Sequence, residues 1–358
     1  MIFRQFVDED LGCASYLVGD ESVGEALVVD PAFRVEQYLD AAERHDVRIV
    51  RVLETHTHAD HVSGHGRLAL EHGVPVAIHD AADADYPHEA LADGDEIAVG
   101  DVVVRVIYTP GHRPEHCAFA VLDEARELVL GDVALPAHLP NVERILALNR
   151  GPFVTAPPPL EPLAALPADA VVLDVRPSDA SAAGHVHGAL NVPVSGSGFA
   201  TKAGFVLPPE ARVAIHASSD GEAARAAAGL NAVGFLDLAG YVIDASATEP
   251  LRGVEVEELE HLLADGVAVL DVREKDERDR GYIPGTRHVP YRVVRQAAEE
   301  GLVNGGPVVT ICETGARAAI AASVLQAAGV EARAVLHGGV ATWTALGGET
   351  VQFRRCGC

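Results

Sequence analysis

The stretch "THTHADH", residues 55–61, sets three histidines and an aspartate in seven positions. It follows the apolar run "RIVRVLE" (48–54) and precedes "VSGHGRLALEHG" (62–73). The first reads as a buried strand and the second as a helix entered through glycine. His56, His58, Asp60 and His61 therefore stand on a loop at the C-terminal end of a strand, the edge at which α/β sheets collect their sites. Histidine and aspartate are ligands that suit zinc, iron or manganese. Two other strand ends carry the same residue types. His112 lies in "TPGHRPEH" (109–116) after "VVVRVIY" (102–108), and Asp132 lies in "LVLGDVAL" (128–135) after "ELVL". One such histidine would be read as a helix cap or a surface residue. Three strand-end loops with ligand-type residues point to a metal centre.

Around this core, residues 1–150 alternate apolar runs ("EALVVD", "IVRVLE", "PVAIH", "VVVRVIYTP", "ELVLGD") with helical stretches ("VEQYLDAAERHD", "HGRLALEHG"). That alternation specifies an α/β layer structure. The proline cluster "APPPLEPLAALP" (156–167) makes 151–167 a stiff linker. Beyond it the chain repeats. "VVLDVRPSDASAAGHVHGALNVP" (171–193) matches "AVLDVREKDERDRGYIPGTRHVP" (268–290), with Asp174 on Asp271, Gly188 on Gly285 and Pro193 on Pro290. "RVAIHASSDGEAARAA" (212–227) aligns with "PVVTICETGARAAIAA" (307–322), and "LAGYVIDA" (238–245) is set against "HGGVATWT" (337–344). A spacing of 97 residues is far longer than a solenoid repeat. It describes two copies of one small α/β domain, 168–248 and 249–350, and leaves 351–358 as a cysteine-containing tail.

In the second copy, Cys312 ends a strand and residues 313–317 lead into a helix. Backbone N–H groups of such a turn, with the helix N-terminus behind them, stabilise a thiolate and then a persulfide anion. Arg317 is expected to add positive charge for an anionic ligand. In the first copy His216 is expected at the cysteine position, with Ser219 for Gly315 and Gly221 for Arg317. Imidazole cannot carry a persulfide sulfur, so this copy is expected to be inactive, with a scaffold or docking role.

Composition narrows the partners. The 358 residues predict two to three domains, and 48% hydrophobic residues suffice for real cores. A formal net charge of −26 disfavours nucleic acid and anionic membrane surfaces. No stretch approaches the roughly 20 apolar residues of a membrane span, so the expected location is the cytoplasm. Five sparse cysteines there are expected as thiols. Cys13 and Cys117 read as small buried hydrophobes. Cys356 and Cys358 read as a plain tail or as a mobile thiol pair serving Cys312.

H-x-H-x-D-H, T-P-G-H and G-D in this order resemble the metallo-β-lactamase fold superfamily. Within it "ETHTHADHVSG", "LGCASYLVG" (11–19) and "VVDP" (28–31) resemble the persulfide dioxygenases. The resemblance implies an αββα domain holding one Fe(II) per chain on His56, His112 and Asp132, with positions left open for substrate and O₂. His58, Asp60 and His61 would then orient ligands and water, with Asp60 a candidate catalytic carboxylate. The alternative in the same superfamily is a two-zinc thioester hydrolase of the glyoxalase II type. It would use His58 beside His56, add Asp60 and His61 at a second zinc, and need a further histidine well downstream. Between Asp132 and the linker stands only His138, six residues on. Only "VALPAHLPNVERILALNRGPF" (133–153) follows Asp132 there, so the second half of this domain is shortened relative to the superfamily.

The two repeats resemble rhodanese domains, with an active loop Cys-x-x-Gly-x-Arg. This makes Cys312, Gly315 and Arg317 the catalytic candidates and Glu313, Thr314 and Ala316 the substrate-lining ones. The whole order resembles fused persulfide dioxygenase–sulfurtransferases. It implies oxidation of a small thiol persulfide by O₂ to sulfite at iron, sulfane-sulfur transfer through Cys312 with thiosulfate among its partners, and a homo-oligomer among the expected assemblies. A metal domain that only scaffolds a working rhodanese is the rival reading.

Overall fold

A computed structural model of the chain describes residues 1–358 except 9, 124–125, 131–140, 244, 247, 304–305 and 353–358. It divides into two compact units, Met1–Pro159 with Ala228–Leu236, and Leu160–Ala227 with Asp237–Cys358.

The first unit begins with an antiparallel meander, β1 (Ile2–Asp8), β2 (Cys13–Asp20) and β3 (Glu25–Val29). The chain then adds parallel strands: α1 (Glu36–Arg44), β4 (Arg48–Glu54), α2 (His65–His72), β5 (Val76–His79) and β6 (Glu89–Leu91). These six strands form one sheet in chain order. A second, antiparallel sheet is built from β7 (Glu96–Val99), β8 (Val102–Tyr108), β9 (Cys117–Asp123) and β10 (Arg126–Leu130), and α3 (Val142–Arg150) follows. The two sheets bury their inner faces on each other. Val18, Leu27, Val29 and Leu53 meet Val104, Val106, Phe119 and Val121. On its other face the six-stranded sheet packs Leu17, Val28 and Val52 under Tyr38 and Ala41 of α1 and Leu68 of α2. β3 is buried on both faces along Ala26–Val29, which is why "EALVV" reads as a continuous apolar run, and β4 is buried at its C-terminal end, Val52–Glu54. β6 and β7 lie outside the expected elements; they are short and place charged residues outward. Among the described residues no helix is long and apolar enough to cross a membrane.

The second unit carries the repeat. The first copy runs β11 (Val171–Asp174), α4 (Ser178–Ala183), β12 (Leu190–Asn191), α5 (Phe199–Val206), β13 (Val213–His216), α6 (Asp220–Ala232) and β14 (Leu238–Val242). The second runs α7 (Leu259–Ala264), β15 (Ala268–Asp271), α8 (Lys275–Arg280), β16 (Arg287–His288), α9 (Val294–Glu299), β17 (Val308–Ile311), α10 (Ala316–Ala327), β18 (Ala332–Ala334) and α11 (Val340–Ala345). Both sheets are parallel with equivalent order, β12-β11-β13-β14 and β16-β15-β17-β18. Gly188 and Gly285 both take positive φ, 76° and 87°, at the turn into the short strands β12 and β16.

The ladders correct two of the expected alignments. Asp174 pairs with His216, whereas Asp271 pairs with Ile311. His216 is therefore the counterpart of Ile311, and Ala217 stands at the position of Cys312. Val213 pairs with Leu238 as Val308 pairs with Ala332, so "LAGYV" is strand β14, the counterpart of β18, and not of the "HGG" loop. Laid on each other without a gap, 212–227 and 307–322 set Ala217 on Cys312, as the hydrogen-bond register does; the expected match to His216 rested on each residue closing an apolar run. Alanine at that position has no sulfur to offer.

The alanine-rich helix α10 is buried along Ala318–Leu325. It packs against its own sheet and also against β12 and α4 of the first copy. There the Asn191 backbone N–H donates to Ser323 Oγ at 2.9 Å. The proline-rich linker is extended and tied into this unit: Leu163 N donates to Tyr241 O at 2.7 Å and Tyr241 N to Glu161 O at 3.0 Å.

Phe119 is fully buried between the two sheets of the first unit. Phe119→Ala should destabilise it by about 3–5 kcal/mol, read as a lowered urea midpoint in circular dichroism.

Candidate metal and sulfur sites

The loop 55–61 is held from three directions. At the end of β3, Asp30 accepts from Thr55 N at 2.7 Å and from Thr55 Oγ1 at 2.8 Å. Asp30 takes a left-handed conformation, φ 48°, rare for a residue with a Cβ and one that costs energy to hold. Glu115, in the loop after β8, accepts from Thr57 N at 3.1 Å. Asn149 on α3 donates to His58 O at 2.9 Å and His61 O at 2.7 Å, and accepts from Ser63 N at 2.8 Å.

Thr55 fixes a tautomer. Its hydroxyl proton goes to Asp30, and its oxygen lies 2.9 Å from His56 Nδ1. A hydroxyl has a single proton, so Nδ1 must be the donor, which leaves Nε2 of His56 as the basic nitrogen. Burial holds the His56 pKa well below the ordinary histidine range, and repulsion from His58, His112 and His116 adds to it. His56 is thus a neutral imidazole with its lone pair on Nε2, the form a metal requires.

The rings gather around it. The His56 centroid is 4.2 Å from His58, 4.9 Å from His112 and 5.3 Å from His116, and His58 lies 4.4 Å from His61. His58 Nε2 sits between Asp30 Oδ1 at 3.2 Å and Glu54 Oε2 at 3.3 Å. Burial opposes its charge, but the two carboxylates outweigh burial and raise its pKa well above the usual value. Glu54 also faces His65 Nδ1 at 3.1 Å and accepts from Ser63 Oγ at 2.5 Å. Asp60 lies 3.1 Å from His61 Nδ1 and 3.8 Å from His58 Nδ1. Burial would raise its pKa, yet the neighbouring histidines hold it below the carboxylate range. Ligand atoms of His58, Asp60 and His61 lie within 4.8 Å of one another.

These residues fit a cation. Asp60 Oδ2 and His61 Nε2 are buried with no hydrogen-bond partner among the described residues, which a bare protein rarely tolerates. The structure brings together His56, His58, Asp60, His61 and His112, the last exposed at the rim. Asp132 and His138 lie outside the described residues, as do Cys356 and Cys358. Asp30, Glu54, His65, Glu115, His116 and Asn149 were missed in sequence. The acids Asp30 and Glu54 each close an apolar strand, a signal that could have marked them. Nothing marks Asn149, 88 residues beyond His61. Cys117 is buried under the loop, its N–H donating to Thr55 O at 2.8 Å. Burial pushes its thiol pKa up to about 12, so it is a packing residue.

In the second copy Cys312 is 1% exposed. Gly315 N–H donates to Cys312 Sγ at 3.1 Å, and helix α10 begins at the next residue. Gly315 has φ 102°, and a Cβ there would overlap Leu336 O. Thr314 and Ala316 are exposed, and Glu313 is partly so. Arg317, expected to add positive charge at this loop, donates to both oxygens of Glu277, at 2.5 and 2.6 Å, and its charge also acts on Cys312.

Residues 8–173 match the metallo-beta-lactamase superfamily, and residues 255–346 match the rhodanese-like domain. A hydroxyacylglutathione hydrolase from Francisella tularensis subsp. novicida (strain U112) is 30% identical over 143 residues, 40% of this chain and 55% of that protein. The crystal structure of a metallo-beta-lactamase from Staphylococcus aureus subsp. aureus COL covers 68% of this chain and 98% of its own, with a TM-score of 0.60 and 21% identity, and so shares the fold. The crystal structure of ETHE1 from Myxococcus xanthus is 32% identical, covers 34% of this chain and 54% of its own, and has a TM-score of 0.33. The chain spans less than two thirds of the length of the curated relatives it matches. It carries an N-terminal metallo-β-lactamase α/β fold followed by a rhodanese-like domain.

Two outcomes follow from this geometry. Asn149→Ala frees two loop carbonyls and one N–H; it should lower metal retention against a chelator about tenfold or more, read by metal analysis after competition. Gly315→Ala should abolish sulfur transfer at Cys312 and lower stability by at least about 2 kcal/mol, read by thiocyanate formation and thermal melting.

Proposed function

We propose that this chain oxidises a low-molecular-weight thiol persulfide to sulfite at a mononuclear iron and moves sulfane sulfur through Cys312. The balance is RSSH + O₂ + H₂O → RSH + sulfite + 2H⁺. The observation that carries the reading is the presence of both chemistries in one chain: a histidine-rich loop with its donor atoms prepared for a metal, and a buried cysteine held by a backbone N–H ahead of a helix. His56, His112 and Asp132 would hold the iron. When bound, it supplies a Lewis acid with open positions at which persulfide and O₂ meet.

The protein's own groups do the rest. Thr55 and Asp30 keep Nε2 of His56 unprotonated. Asp30 and Glu54 hold His58 as a charged imidazolium that stiffens the loop. Asp60, kept ionised by His61 and His58, would orient ligands and water beside the metal. The cytoplasm suits a chain that depends on reduced thiols.

A second reading has an observation of its own. The cluster of His58, Asp60 and His61, with its unpartnered Asp60 Oδ2 and His61 Nε2, suits a second metal, and hydroxyacylglutathione hydrolases are among the similar proteins. That reading is a zinc thioester hydrolase of the glyoxalase II type fused to the rhodanese-like domain.

Anaerobic purification with metal analysis and an oxygen electrode separates them. About one iron per chain and O₂ uptake on added persulfide are expected. Cys312→Ser should keep that uptake and lose sulfur transfer to cyanide, whereas His56→Ala should do the reverse. Two zincs per chain with thioester hydrolysis would overturn the dioxygenase reading. Iron and an active Cys312 without O₂ uptake would leave a metal domain that only scaffolds the rhodanese.

A further inference from the structure

Two guanidiniums reach the Cys312 loop, and both are already engaged. Arg273 donates through Nε to Asp271 Oδ1 at 3.0 Å and through Nη2 to Asp271 Oδ2 at 2.8 Å. Its remaining nitrogen, Nη1, donates to Glu313 Oε2 at 3.0 Å. Arg317 is held by both oxygens of Glu277. Three carboxylates therefore face two guanidiniums. The excess negative charge belongs to Glu313, which follows Cys312 directly and has a side chain 40% exposed.

The first copy shows which of these groups the fold itself needs. There Arg176 donates to Asp174 at 2.9 and 2.6 Å and to Gly184 O at 2.9 Å, as Arg273 does to Asp271 and to Gly281 O. The Asp–Arg pair is thus common to both copies and independent of sulfur chemistry. By the strand register Glu313 corresponds to Ser218, Glu277 to Ala180 and Arg317 to Glu222. Carboxylates at the Glu313 and Glu277 positions occur only in the copy that carries the cysteine, whereas the first copy has Glu222 in place of Arg317.

We infer that Glu313 is a charge-selecting residue: by occupying Arg273 Nη1 it turns the mouth of the Cys312 site against dianions such as thiosulfate and toward persulfides of low or positive charge. The inference rests on Cys312 being the sulfur carrier. In the half-reaction the Cys312 thiolate attacks the outer sulfur of RSS⁻. The inner S–S bond breaks with its electron pair leaving on RS⁻, giving Cys312–S–S⁻, and no oxidant or reductant is needed. Thiosulfate would react alike, with SO₃²⁻ as the leaving group. The two donors differ in the charge each must bring to the loop.

The test uses the full chain with cyanide as common acceptor and two donors, thiosulfate and cysteamine persulfide, whose amine is cationic. For this two-step transfer, kcat/KM for the donor reports the donor half-reaction alone. Glu313→Gln keeps the size and removes the charge. The thiosulfate-to-cysteamine-persulfide ratio of kcat/KM should rise about tenfold, with thiosulfate gaining and the cationic donor losing. Added KCl should raise the thiosulfate rate less steeply in E313Q than in the native chain. Glu313→Asp, which keeps the charge, should keep the native ratio. Equal changes for both donors in E313Q, or an unchanged thiosulfate rate, would overturn the inference. Cys312→Ser separates this from failure of the underlying reading: if transfer from both donors survives in C312S, Cys312 is not the carrier at all.

Discussion

The Thr55 hydroxyl has one proton, and Asp30 receives it. From that constraint the metal loop follows. Because the proton points at Asp30, His56 must donate from Nδ1, and its basic nitrogen is turned toward the other histidines. Because Asp30 must reach Thr55 from the end of β3, it adopts a left-handed backbone, φ 48°, that a residue in a free strand would leave. β3 and β4 are neighbours in the sheet, so the relay spans two adjacent strand ends and needs no long side chain.

The same region shows how a protein keeps charge inside. Glu54, His58, Asp30 and Asp60 would each be costly to bury alone. They lie together, each carboxylate against an imidazole, with Asp60 partly exposed at the edge. Such a cluster is expensive to break, because removing one partner strands another. That rigidity suits a loop whose ligands must hold their orientation before a metal arrives. Asn149 and Glu115 complete the support by taking up backbone groups that the loop's own turns leave unpaired.

In the second unit one scaffold is used twice. The Asp–Arg pair, the positive-φ glycine before the short strand and the parallel sheet recur in both copies. The copies differ at the end of the third strand: Cys312, Glu313, Gly315 and Arg317 in one, Ala217 and its neighbours in the other. The first copy also helps to cover α10, a helix of small residues with no polar face, and so gives the active loop a fixed base.

The sequence alone determined the layer class of the first domain, the existence of the repeat, the metal loop and Cys312. These are local signals: apolar runs ending in ligand-type residues, a proline cluster, and a cysteine–glycine–arginine spacing before a helix. Tertiary structure decided what depends on distance and register. Asn149 reaches the loop from 88 residues away, and no local pattern encodes that. The pairing of Arg317 with Glu277, 40 residues earlier, is likewise set by the tertiary fold. His216 looked like the counterpart of Cys312 because each closes an apolar run, although 212–227 laid on 307–322 sets Ala217 there; the hydrogen-bond ladder fixes the match, since a shift of one residue in a strand reverses which side every side chain faces.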